Sequence, residues 1–168
     1  MTLTQLNSLD KVSLQKVLGS CCGAGKWVDE MALIFPVPDQ KTLLQEAERI
    51  WYQCNGSDWK EAFAQHPKIG DIKTLEQKFA PVDNWAEGEQ AGVKQTSAPV
   101  LEALAEGNQM YERRFGYIFI VCATGKSAEE MLALLQARLP NEPQAEISIA
   151  MEEQNKITQI RLQKLLTT

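Results

Sequence analysis

One histidine stands in 168 residues, within "FAQHPKIGDI" at 63–72. It closes an apolar, helix-like run and is followed by a proline and, shortly after, a glycine. Imidazole titrates near pH ~6.5 when unperturbed, so His66 is the side chain best suited to proton transfer near neutrality. Pro67 fixes the next backbone torsion and Gly70 permits a sharp turn, which together would give the ring a defined direction. Residue chemistry alone leaves two readings open: a structural residue at a helix end, or a proton-transfer group held at the mouth of a pocket.

Two other stretches place polar groups where packing does not call for them. In "WAEGEQAGV" (85–93), Gly88 and Gly92 share one helical face, and each costs about 1 kcal/mol relative to alanine. Such a face admits close approach of a helix or a ligand, and Glu87, Glu89 and Gln90 add acceptors and an amide in the same turn. The alternative is a glycine-interrupted surface helix. In the last helix, Ile147, Ala150, Gln154, Ile157, Arg161 and Leu165 recur in steps of three and four residues, so one stripe carries them all. Arg161 either snorkels out of that stripe or turns its planar fork toward a cavity, where it suits a carboxylate.

Several chemistries are excluded. A lone histidine rules out a His-rich metal site, and no motif marks a carboxylate-only one. Cys21, Cys22, Cys54 and Cys122 form no Cys-x-x-Cys and read as buried thiols of a reducing cytoplasm. There is no G-x-S-x-G and no P-loop, since "GAGKW" lacks the spacing and the Ser/Thr. A net charge of −5 with 17 scattered Lys and Arg argues against a nucleic-acid surface. No secretory signal is evident at the N-terminus, and "YIFIVCA" (117–123) is far too short to cross a bilayer. One histidine, a carboxylate-rich turn and a stripe arginine are also consistent with a cofactor-free acid/base site for an anionic substrate, and the residues alone take the reading no further.

The elements that must position these groups read as helices nearly throughout. With 44% hydrophobic and 23% charged residues, the chain has an ordinary globular composition and a length suited to one domain. Val12, Leu14, Val17 and Leu18 form an amphipathic start that ends at Gly19. Trp27, Met31 and Leu33 mark a second helix, and 42–53 keeps helical spacing through Leu43, Ala47, Ile50 and Trp51. Ser57 is the expected N-cap of the helix that Pro67 ends. Further helices are expected at 71–79 and about 84–95, then from Ser97 with Pro99 in the first turn. Gly116 should break that helix and Gly125 stop it. "SAEE" (127–130) is a capping box for "MLALLQARL", and a final helix runs over about 144–166. "YIFIVCA" has no strand to pair with and reads as buried helix or extended chain. The expectation is an all-α, single-domain compact bundle of about eight or nine helices.

"HPKIG", "EQAG", "RFGYIFIVCATGKSAEEML" and "EEQNKITQIRLQKL" together resemble the 2-oxo-4-hydroxy-4-carboxy-5-ureidoimidazoline (OHCU) decarboxylase family, in register over nearly the whole chain. The resemblance implies an all-helical, homodimeric, cytoplasmic enzyme of urate degradation. It would need no cofactor or metal, and would convert OHCU to (S)-allantoin and CO2. It places the catalytic groups on His66, Glu89 and Arg161. Substrate contacts fall on His66, Pro67, Gln90 and Arg161 and on the backbone of Phe119, Ile120, Val121, Cys122 and Ala123. One departure is Ala86, where the family pattern has serine, and Glu87 is the alternative acid. Two other outcomes are a related ureido or imidazoline acid as substrate, or a silent helical binding module.

Overall fold

The computed structural model describes residues 1–67, 75, 77 and 98–167. Among them are eight helices and no strand, in keeping with the all-α expectation. They are α1 (Leu3–Asn7), α2 (Lys11–Cys21), α3 (Gly25–Leu33), α4 (Gln40–Gln53), α5 (Gly56–Ala64), α6 (Ala98–Phe115), α7 (Ala128–Arg138) and α8 (Pro143–Thr167). Among the described residues, no helix is long and apolar enough to cross a membrane. The helices expected at 71–79 and 84–95 lie outside the described residues, apart from Leu75 and Gln77, both helical.

These residues group into two compact units, each discontinuous in sequence. One comprises Met1–His66, Ile120–Cys122 and Ile147–Thr168; the other comprises Pro67–Phe119 and Ala123–Glu146. In the first, Leu6, Leu18, Trp27, Met31, Leu43, Ile50, Trp51 and Phe63 are all but fully buried. Burying side chains of this size contributes about 1.5–3 kcal/mol apiece. The indoles do so without stranding their N–H groups. Trp27 donates to the Ala47 carbonyl at 3.0 Å, and Trp51 to the Met151 carbonyl at 2.9 Å, tying α4 to α8.

Local caps set the helix boundaries. Asp10 and Asp39 accept from the backbone of Ser13 and Thr42, opening α2 and α4. The cap of α5 is Asn55, not Ser57. Asn55 Oδ1 accepts from the backbone of Ser57 and Asp58, and Asp58 returns a bond to Asn55 N–H. Both Asn55 and Ser57 can cap, and the reciprocal Asp58 bond favours the earlier residue. Val12 and Leu33, expected on core faces, are 76% and 77% exposed. The buried stripes of α2 and α3 run instead through Leu14, Leu18 and Cys21, and through Trp27 and Met31.

In the second unit α6 and α7 approach closely at Gly107, where an added Cβ would lie 2.6 Å from Leu135 Cδ2. Helix α6 ends at Phe115, with Gly116 at φ 81° providing the left-handed turn. The chain then runs without helix or strand through 117–123, turns at Gly125 (φ 74°), and re-enters helix behind the Ser127–Glu130 capping box. Gly116 therefore ends the helix where the sequence indicated, but no helix resumes before Gly125, which turns the chain into the α7 cap instead of stopping a helix; "YIFIVCA" is not helical.

Candidate active site

His66 lies just beyond the last turn of α5, its backbone N–H donating to Phe63 O at 3.2 Å. Pro67 follows and has no N–H with which to continue the helix. The turn is also pinned from outside. A Cβ added at Gly23 would fall 2.3 Å from Gln65 Cγ and 2.7 Å from Gln65 Cβ, so only glycine lets the chain before His66 sit where it does.

The imidazole meets α8. His66 Nε2 lies 2.5 Å from Gln154 Oε1, and Gln154 is fully buried. The Gln154 amide nitrogen donates to Thr158 Oγ1 at 3.1 Å, one turn further along the same helix face. Because a carbonyl oxygen only accepts, this contact puts the ring proton on Nε2 and the lone pair on Nδ1. Burial pulls the His66 pKa below 6.5, and the Arg161 charge pulls it the same way against the Gln154 bond. His66 is therefore a neutral imidazole at pH 7.

Arg161 shares this face of α8 and is partly exposed. One of its terminal nitrogens donates to Cys21 O at 3.3 Å. That carbonyl belongs to the last turn of α2, where backbone acceptors lack helical partners and a cation is favoured. Among the described residues this is Arg161's one hydrogen bond, which leaves most of its guanidinium fork for a ligand. The four cysteines are buried, as the sequence implied. Burial pushes the Cys22 thiol up to about 12, which makes it a poor nucleophile at neutral pH.

The structure thus brings together His66 and Arg161 of the expected site. Ile120 and Cys122, in the same unit, are 2% and 7% exposed, with Val121 between them more open. That alternation is what an extended chain produces. The segment belongs to neither a helix nor a strand. Phe119 and Ala123 belong to the other unit, where the Phe119 ring lies 4.5 Å beneath the Arg138 guanidinium. Pro67 is exposed. Glu89 and Gln90, with Ala86, Glu87, Gly88, Gly92 and Gly70, lie outside the described residues.

Sequence reasoning left Gln154 without a role and passed over Thr158. The available signal was two uncharged polar residues four apart on a buried helix face. Among the described residues, no cluster of three or more His, Cys, Asp or Glu side chains could hold a metal ion.

Fold and site define an all-helical protein with a polar centre built on one neutral histidine. The chain belongs to the OHCU decarboxylase family, whose sequence profile matches residues 7–163. It is 37% identical over 148 residues, 88% of its length, to the uric acid degradation bifunctional protein TTL of Arabidopsis thaliana, of which it spans 45%. It is 35% identical over 101 residues to the 2-oxo-4-hydroxy-4-carboxy-5-ureidoimidazoline decarboxylase of Amia calva, covering 60% of this chain and 57% of that one. The chain thus spans about half the length of these two relatives. Among solved structures, it superposes on an OHCU decarboxylase crystallised in the presence of (S)-allantoin. The TM-score is 0.72 at 38% identity, over 89% of this chain and 96% of the other.

Proposed function

We propose that this chain decarboxylates OHCU to (S)-allantoin, with release of CO2, in the degradation of urate. The carrying observation is His66 itself: neutral, half-buried, held through Nε2 by Gln154, with the Arg161 charge acting on it. The substrate's carboxylate sits on a hydroxyl-bearing carbon next to a ring C=N. As CO2 leaves, the C–C electron pair flows into that C=N bond and the ring nitrogen takes a proton from water. The reaction therefore carries its own electron sink and asks no cofactor of the protein. The remaining intermediate is an enol. His66 Nδ1 takes the enol O–H proton and returns it to the adjacent ring carbon on one face, leaving a carbonyl and the stereocentre. One proton is consumed overall.

Arg161 orients the anion and stabilises oxygen-centred charge as it develops. Glu89 accepts a hydrogen bond from the hydroxyl or the ureido N–H, Gln90 binds beside it, and backbone amides of 119–123 complete the contacts. A homodimer in the cytoplasm is part of the same proposal, which sedimentation and cell fractionation test.

The decisive assay generates fresh OHCU from urate and follows optically active allantoin against a no-enzyme control. The expected result is faster formation and a single sign of rotation. Product no faster and no more chiral than in buffer overturns the assignment.

A further inference from the structure

We infer that Gln154, backed by Thr158, is a positioning residue that holds His66 as the Nε2–H tautomer and so makes Nδ1 the atom that takes and returns the proton. The inference rests on the decarboxylase reading for its catalytic consequence, but not for its geometry.

Gln154 is 0% exposed, and a buried amide needs partners for both its ends. Here both are assigned. Its nitrogen donates to Thr158 Oγ1 at 3.1 Å, and its carbonyl oxygen faces His66 Nε2 at 2.5 Å. The Gln154–Thr158 bond spans one turn of α8, so it orients the amide plane without help from any loop. Among the described residues, the charged group acting on His66 is Arg161, from α8. The α2 end that Arg161 grips presents Cys21 and Cys22, whose thiols burial keeps neutral.

An amide at this position has a chemical logic. A carboxylate would hold the ring as imidazolium at neutral pH and remove the Nδ1 lone pair. An apolar side chain would let the ring proton move to either nitrogen. A neutral carbonyl fixes the tautomer and leaves the ring basic. When Nδ1 gains the enol proton, the same carbonyl still accepts from Nε2–H and steadies the transient cation.

Because the chain holds one histidine, untagged protein grown with ¹⁵N-histidine gives two ring nitrogen signals, both from His66. In wild type above the ring's pKa, the proton should sit on Nε2. Gln154→Leu should mix the tautomers and lower kcat about 10–100-fold, with KM changed less than about threefold. Gln154→Glu, which is isosteric and guards against a folding failure in the leucine variant, should raise the ring's pKa by about one unit or more. The acid limb of its kcat profile should move by the same amount. Thr158→Val should reproduce the leucine phenotype more weakly. A wild-type ring protonated on Nδ1, or a glutamate variant whose titration does not move, overturns the inference. A wild-type Nε2–H ring that shifts as stated in a protein without decarboxylase activity would remove the proposed reaction and leave the positioning role standing.

Discussion

Two polar clusters, one in each unit, use similar residues to opposite ends. In the unit containing α6 and α7, Glu146 is fully buried and accepts from everything around it. Arg138 Nε donates to it at 2.7 Å, Asn141 Nδ2 at 3.0 Å, and the Tyr111 hydroxyl completes the set. The Arg138 guanidinium is also stacked over Phe119. Burial and the Glu146 bond push the Tyr111 phenol well above its usual range, so it stays a neutral donor. In the other unit, Arg161 has one long bond to a backbone carbonyl, and His66 has one ring nitrogen engaged. The first cluster is closed on itself and secures structure. The second holds its charged and basic groups in place with fewer partners among the described residues.

The sharpest way to break this contrast is to unpair the closed cluster. Glu146→Gln removes the buried carboxylate to which Arg138, Asn141 and Tyr111 all donate and should cost about 3–5 kcal/mol in urea unfolding. Replacing both partners, as Arg138→Met with Glu146→Leu, should recover most of that loss, because the two desolvation penalties vanish together. Near-equal stability of the single variant and wild type would show the cluster to be less closed than its geometry says.

His66→Asn should do the reverse. It should lower the rate of chiral allantoin formation by about 10²–10⁴-fold while leaving the urea midpoint nearly unchanged. Full activity in that variant would remove the histidine from the mechanism and leave the fold untouched.

Gly23→Ala joins the two kinds of effect. Its Cβ would collide with Gln65 at 2.3 Å from Cγ, and Gln65 immediately precedes His66. Overpacking of this kind costs about 1–3 kcal/mol, and activity should fall further than stability because the displaced turn carries the imidazole. Paired thermal-melt and rate measurements check this.

The pH response is smaller. His66 is more basic in the unfolded chain than in the fold, because burial and Arg161 disfavour its charged form. Below pH 6.5 the unfolded state therefore binds the extra proton first. Stability should fall as pH drops from about 6.5 through the folded pKa and level off beneath it. His66→Asn should flatten that part of the stability profile. At the small end, Ser127→Ala removes the α7 cap and should cost about 1 kcal/mol, with no effect on the stereochemistry of the product.

Much of the framework was legible before any coordinates. Local rules carried it: Gly116 broke the helix as expected of it, and Ser127 with Glu130 formed the capping box their spacing announced. Where two good caps competed, as with Asn55 and Ser57, the local rule could not choose. The reciprocal bond from Asp58 decided. The apolar faces of α2 and α3 were misjudged at Val12 and Leu33, because periodicity identifies a stripe but not where its edge meets solvent.

For the site, the sequence by itself determined the cast. A lone histidine before a proline, and an arginine and a glutamine on the stripe of the last helix, are readable from type and spacing. Only the tertiary structure decided what each could do. Gln154 is 88 residues from His66 in sequence, so no spacing rule joins them. Their meeting depends on α5 and α8 packing in one unit. The charge state of His66 likewise follows from burial and from Arg161, neither of which a linear pattern contains. Helices and caps come from contacts within a few residues and can be read along the chain. Tautomer, pKa and hydrogen-bond direction come from groups brought together across it.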